Sequence, residues 1–122
     1  MGYRAGAIRS AGLTDLHRRG DRTFDIMNGD YRVIPGDIMA RDLVMTHIST
    51  NFDRTGFQQD WNVMFPLDRL RELALEGVIG SVAAYHYSFM GAADPAAMEP
   101  AVSDLAGFLK GDQVDAALLV PV

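Results

Sequence analysis

Apolar positions fall in short blocks along the chain, and the period within a block changes from one to the next. Residues 4–11 place apolar side chains at 5, 7, 8 and 11 among small neighbours, which predicts a first strand. Residues 30–35, Asp30-Tyr31-Arg32-Val33-Ile34-Pro35, alternate and end at a proline. A proline cannot donate to a ladder, so this block reads as a short edge strand. Residues 42–48 read as a buried strand whose far end carries Thr46 and His47. The pattern then lapses over residues 49–62, a polar stretch interrupted by Phe52, Phe57 and Trp61. A loop of that length in a compact domain is expected to be functional or disordered.

Helical spacing follows. Pro66 suits a first turn, where its missing N–H costs nothing. Leu67, Leu70, Leu73 and Ala74 share one face, Asp68, Arg69, Arg71, Glu72 and Glu76 take the other, and Gly77 supplies the stop. A helix is predicted over 66–76, then a strand over 78–84 running into Tyr85-His86-Tyr87-Ser88-Phe89-Met90-Gly91. A second helix is predicted over 95–110, capped by Asp94 and opened by Pro95, with a stripe at Met98, Val102, Leu105 and Leu109. Residues 114–120 form an unbroken apolar run, as in a central parallel strand.

Strands alternating with helices give an α/β fold: a small, mostly parallel sheet flanked by helices, in one domain over residues 1–122. In such sheets the chemistry lies beyond the carboxyl ends of the strands. The last predicted strand stops two residues before Val122, so the sheet is expected to be completed by a partner chain.

Composition narrows the classes. Apolar residues are 48 % and charged residues 22 %, which excludes a disordered chain. No apolar run approaches the ~20 residues of a membrane span, and the first residues lack the apolar stretch of a secretory leader. There is no cysteine, hence no disulfide and no thiol nucleophile. A cytoplasmic protein is expected. The net charge is −5, and the one basic cluster is Arg18, Arg19 and Arg22, so nucleic acid and anionic membranes are not expected partners. No glycine-rich phosphate loop occurs, so no nucleotide cofactor is expected.

Three histidines carry the candidate chemistry. His47 and His86 each stand at the predicted carboxyl end of a strand, and His17 follows the first strand. Imidazoles hold zinc, iron or copper, and three with an open position make a catalytic metal site. The alternative is that each histidine bonds locally at a strand end. Asn51, Asp53 and Asp60 lie in the loop after His47, where a carboxylate can orient an imidazole or act as a base. Around His86, Tyr85, Tyr87 and Ser88 offer hydroxyls. Alternation puts Tyr85 and Tyr87 on one face and His86 on the other, so one set alone can face a crevice.

Several blocks stand in a familiar order: Tyr31-Arg32-Val33-Ile34-Pro35-Gly36-Asp37; Asp42-Leu43-Val44-Met45-Thr46-His47; Val63-Met64-Phe65-Pro66-Leu67-Asp68-Arg69-Leu70-Arg71-Glu72-Leu73; Glu76-Gly77-Val78-Ile79-Gly80-Ser81; and His86-Tyr87-Ser88-Phe89-Met90-Gly91. Together they resemble the N-terminal part of the glycine/sarcosine/betaine/D-proline reductase component B, or selenoprotein B, family. The resemblance implies an α/β protein in a complex that cleaves a C–N bond of an amino acid or its N-methyl derivative. It also implies a selenocysteine or cysteine after a strand like 114–120. This chain has none, so a second subunit is expected to complete the sheet and supply that group.

The expectation is therefore an enzyme subunit of a hetero-oligomer with a small-molecule substrate. His47 and His86 would act as acid or base, Asp53 would orient one of them, and Asn51, Tyr87 and Ser88 would hold substrate. Two alternatives remain open: a metal-dependent enzyme using His17, His47 and His86, and a non-catalytic binding or scaffold subunit.

Overall fold

A computed structural model describes residues 4–10, 14–21, 29–47, 49, 51–89 and 94–121. The strands are β1 (Arg4–Ser10), β2 (Thr14–Arg18), β3 (Tyr31–Pro35), β4 (Leu43–His47), β5 (Ser81–Val82), β6 (Tyr85–Phe89) and β7 (Ala116–Pro121). The helices are α1 (Thr55–Gln59), α2 (Leu67–Leu75) and α3 (Pro95–Gly111), with 3₁₀ turns at Ala40–Asp42 and Trp61–Val63.

The strands divide into two sheets. β1 pairs in parallel with β7 on one side and, on the other, with β5 near its start and β6 near its end. β3 joins β6 antiparallel, with Val33 opposite Tyr87 and Ile34 opposite His86. β2 and β4 form a separate antiparallel pair, His17 opposite Val44. This corrects the expectation of one small, mostly parallel sheet flanked by helices: antiparallel ladders build the second sheet and one edge of the first. Short connections break the strand–helix alternation that the expectation needed. A parallel crossover takes a dozen or more residues. Three residues separate β1 from β2 and seven separate β3 from β4, and the members of each of these pairs lie in different sheets.

The strand predicted over 114–120 is also corrected. It is β7, which among the described residues is an edge strand paired only with β1, and Ala116 to Leu119 are exposed. A continuous apolar run reads as a central strand only when both faces are covered. Here α3 turns Leu105, Met98, Ala101 and Leu109 toward Tyr31, Tyr87 and Phe89 instead. The loop predicted over 49–62 holds α1 and the Trp61–Val63 turn. No helix among the described residues is long and apolar enough to cross a membrane.

The two long helices form for the predicted reasons. α2 starts after Pro66 and buries Leu67 and Leu70; Gly77, at φ 75°, takes the left-handed position that ends it. In α3 the Asp94 carboxylate accepts the Ala96 N–H at 3.0 Å, satisfying one of the free first-turn donors.

Two apolar clusters result, on opposite sides of the β3–β6 ladder. The larger joins Ile34, Ile38, Leu43, Met45, Trp61, Met64, Phe65, Leu67 and Leu70. The smaller joins Tyr87, Phe89 and Leu105. At the corner where β3 turns toward β4, a Cβ on Gly36 would stand 3.0 Å from the Ala83 carbonyl oxygen, and the Gly36 N–H donates to Ala84 at 2.7 Å. Any side chain there would force the Ala83 and Ala84 carbonyls to give by a few tenths of an ångström.

Candidate functional site

Period two sorts the chemistry of β6. His86 and Ser88 point to the larger cluster, and Tyr85 and Tyr87 point the other way. The antiparallel register brings Ile34 and Arg32 beside the first pair, and Val33 and Pro35 beside the second.

The His86 face is sealed. His86 and Ser88 are both fully buried. The imidazole meets the Phe65 ring edge-on, centroids 5.5 Å apart and planes at 88°. Burial, and then the Arg71 guanidinium, pull its pKa down to about 4, so it is neutral near pH 7. Ser88 Oγ has no hydrogen-bond partner among the described residues. His17 is buried too. Its Nδ1–H donates to the Arg18 carbonyl at 3.0 Å, and its Nε2 has no partner among the described residues.

A polar hub borders that core. Asp68 accepts from Trp61 Nε1 at 2.6 Å, from Asn62 Nδ2 at 3.1 Å and from Arg71 Nη1 at 2.9 Å. The Trp61 bond leads the effects that hold its carboxyl below the usual range. Arg71 also donates to the Gly36 carbonyl at 2.6 Å. One guanidinium thus ties α2 to the β3 corner and biases His86.

The segment after β4 is a third environment. His47 stacks on Phe52 with centroids 4.1 Å apart and planes at 10°. The Ser49 N–H donates to His47 Nδ1 at 2.9 Å, which leaves the proton of the neutral ring on Nε2. Asp53 accepts the Thr55 N–H at 2.8 Å at the start of α1, and its bonds to Thr55 hold its carboxyl below the usual range. Asn51 is exposed, and its backbone N–H donates to Ser49 Oγ at 3.3 Å. The structure does not gather the three histidines at one point. Among the described residues no group of three or more His, Cys, Asp or Glu side chains could hold one metal ion.

The open chemistry is on the Tyr87 face. Tyr31, Val33, Tyr85, Tyr87, Phe108 and Asp112 line a cavity of about 250 Å³. Tyr31 and Tyr87 meet edge to face, 5.8 Å apart at 73°. Burial, then Asp104 and Asp30, push the Tyr31 hydroxyl up; burial, then Asp112, push Tyr87 up. Both phenols therefore stay protonated and can donate. Of the candidate residues named from the sequence, Tyr87 and the flanking hydroxyl donor Tyr85 line this cavity. Tyr31, Phe108 and Asp112 were not singled out. One signal was present: Phe108 is a large aromatic off the apolar stripe of its helix. A second, more polar hollow of about 350 Å³ lies between Arg41, Gln58, Gln59, Asp60 and Asn62.

Comparison with known proteins now bears on these sites. A family model described as glycine/sarcosine/betaine reductase selenoprotein B matches residues 27–122. That span holds every residue of the aromatic cavity and excludes His17. The D-proline reductase subunit gamma of Acetoanaerobium sticklandii is 36 % identical over 108 residues, covering 85 % of this chain. The chain spans 43 % of the length of that relative. No solved structure matches.

Proposed function

Because the chain belongs to the glycine/sarcosine/betaine reductase selenoprotein B family, we propose that it works as one subunit of a reductase-type complex. There it forms one wall of the site for a small amine-bearing substrate. The reaction class proposed is reductive cleavage of a C–N bond. These 122 residues contain no cysteine, so the thiol or selenol for that step comes from outside them. We assign it to a partner subunit.

The observation that carries this reading is the uncovered edge strand. Among the described residues β7 pairs with β1 alone; it carries no charged residue and leaves Leu118 and Leu119 exposed. Natural edge strands are normally blunted by charge or covered. An uncharged, apolar one suits a surface that a partner strand covers. Within this reading the Tyr87 side of β6 faces substrate, and His86 and Ser88 support β6 from behind. His47, the least buried of the three histidines, is the proposed proton carrier at the rim, with Asp53 and Asn51 shaping its turn.

Native mass spectrometry of the chain, expressed with the products of its neighbouring genes, tests the assignment. The expected result is an assembly with a second polypeptide that Leu119→Lys disrupts while the variant stays folded. An assembly indifferent to Leu119→Lys rejects β7 as the joint. No assembly at all rejects the subunit reading.

A further inference from the structure

β7 lies in the parallel part of the larger sheet, where β1 stands between it and β6. Aligned residues of parallel strands share a face of the sheet. Through β1, Leu119 aligns with Tyr87 and Val120 with Ser88. Leu119 therefore shares the face that α3 partly covers. Leu118 and Val120 share the face of the large apolar cluster. Neither cover reaches β7. Leu119 is 68 % exposed and Leu118 42 %, and among the described residues no member of β7 belongs to either cluster.

The charges at the root of this strand are engaged with each other's backbone. The Asp115 carboxylate accepts the Arg4 N–H at 2.9 Å, and the Asp115 N–H donates to the Arg4 carbonyl at 3.0 Å. The Arg4 guanidinium donates to the Asp112 carbonyl at 2.6 Å. Beyond Asp115 the strand is Ala-Ala-Leu-Leu-Val-Pro, with no ionic side chain along it. Parallel strands are found almost only with both faces covered. One extended peptide added to the edge would pair with the free backbone groups and leave both leucines in water. Covering them takes an apolar element on each face and a strand between. A single parallel strand–helix–strand unit already needs about thirty residues, so the occupant has the size of a folded unit.

We infer that β7 docks a folded α/β segment of a second polypeptide, which extends the sheet by one strand and lays an apolar helix on each face, one over Leu118 and one over Leu119. The inference rests on the proposed function, whose partner it describes. Chain length supports a unit of that size. The D-proline reductase subunit gamma of Acetoanaerobium sticklandii carries more than half of its length outside the part that this chain spans. In that relative both parts belong to one polypeptide, so the matched part is joined to a unit large enough for the role. The occupant of β7 is the counterpart of that remainder.

The test uses the assembly that the full chain forms with the products of its neighbouring genes, titrated by native mass spectrometry. Leu118→Lys and Leu119→Lys, on opposite faces, should each weaken it by about tenfold or more, because each buries an unpaired charge. Leu118→Met and Leu119→Met keep the apolar surface and should stay within about threefold. Both leucines are exposed in the free chain, so its urea midpoint should hold in all four variants. If one lysine variant alone disrupts the assembly, the partner covers a single face; the inference falls and the subunit reading stands. If neither does, β7 is not the joint and the inference falls again, with the subunit reading intact. An assembly made only of copies of this chain overturns the inference, since no second polypeptide then covers β7. No assembly at all overturns both.

Discussion

The two faces of the β3–β6 ladder are made of the same few residues in alternation, yet they are chemically opposite. On one, His86 and Ser88 are fully buried against a large apolar cluster. On the other, Tyr85 and Tyr87 border an open cavity with a carboxylate in its lining. Residue type alone would give the histidine face the chemistry, because imidazole is the usual proton carrier. The structure gives the accessible chemistry to the tyrosine face. What separates them is the cover. Trp61, Met64, Phe65, Leu67 and Leu70 close one side completely, whereas α3 covers only part of the other.

The sharpest way to break the comparison is to open the sealed side. Phe65 is fully buried and touches both the Trp61 ring and the His86 imidazole. Phe65→Ala should cost about 3–5 kcal/mol. Urea unfolding would show it as a large fall in midpoint at unchanged slope. A loss under 1 kcal/mol would mean that the His86 face is not the core.

Acid tests the same face without a mutation. The folded-state pKa of His86 lies near 4, below the 6.5 of an exposed histidine. Between those values the unfolded chain binds the proton that the folded chain refuses. Stability is therefore full above about pH 6.5, falls as pH drops toward 4, and gains no further loss from this group below 4. The loss should reach up to about 3 kcal/mol, since one pKa unit is about 1.4 kcal/mol. His86→Gln should flatten the profile in that window. A wild-type profile already flat between pH 6.5 and 4 would show that His86 is not held neutral by burial.

How much of this was legible depends on how far apart the cooperating residues are. Within one helix everything needed was local: Pro66, Leu67, Leu70 and Gly77 sit within four turns, and α2 appears where they place it. Asp94 and Pro95 did the same for α3. The opposed orientations of His86 and Tyr87 also followed from period two, but not which face would be covered. That depends on Phe65 and Leu105, which lie far from β6 in sequence. β2 escaped notice because Thr14-Asp15-Leu16-His17-Arg18 carries a single aliphatic side chain, too little for a pattern. The cavity needed the β3–β6 register, which pairs residues fifty or more positions apart. The strand-end rule misled for a related reason. His47 and His86 were placed in one crevice by assuming parallel neighbours, but β4 pairs with β2 in a different sheet.

A smaller effect sharpens the open side. α3 is the roof of the cavity, and its first turn is held by the Asp94 carboxylate on the Ala96 N–H. Asp94→Ala should cost about 1 kcal/mol, the usual loss for an N-cap. Hydrogen exchange should quicken in α3, where the exposed face and few buried side chains leave local opening easy, and not in α2. Equal acceleration in both helices would mean that the two clusters unfold as one unit and that the faces are not energetically distinct.

The smallest expected effect is the most diagnostic. Tyr85 is 47 % exposed and stands two positions from Tyr87, on the same face. Tyr85→Leu removes a ring from the cavity lining but no fully buried contact, so stability should change by no more than about 0.5 kcal/mol. The contrast with Phe65→Ala is then nearly an order of magnitude, although both remove an aromatic ring near the same strand. A core position loses binding only because it loses the fold. A cavity position loses binding with the fold intact, and Tyr85→Leu should do that. If Tyr85→Leu instead lowers the urea midpoint as Phe65→Ala does, its ring belongs to the core, and the tyrosine face is structural like its opposite.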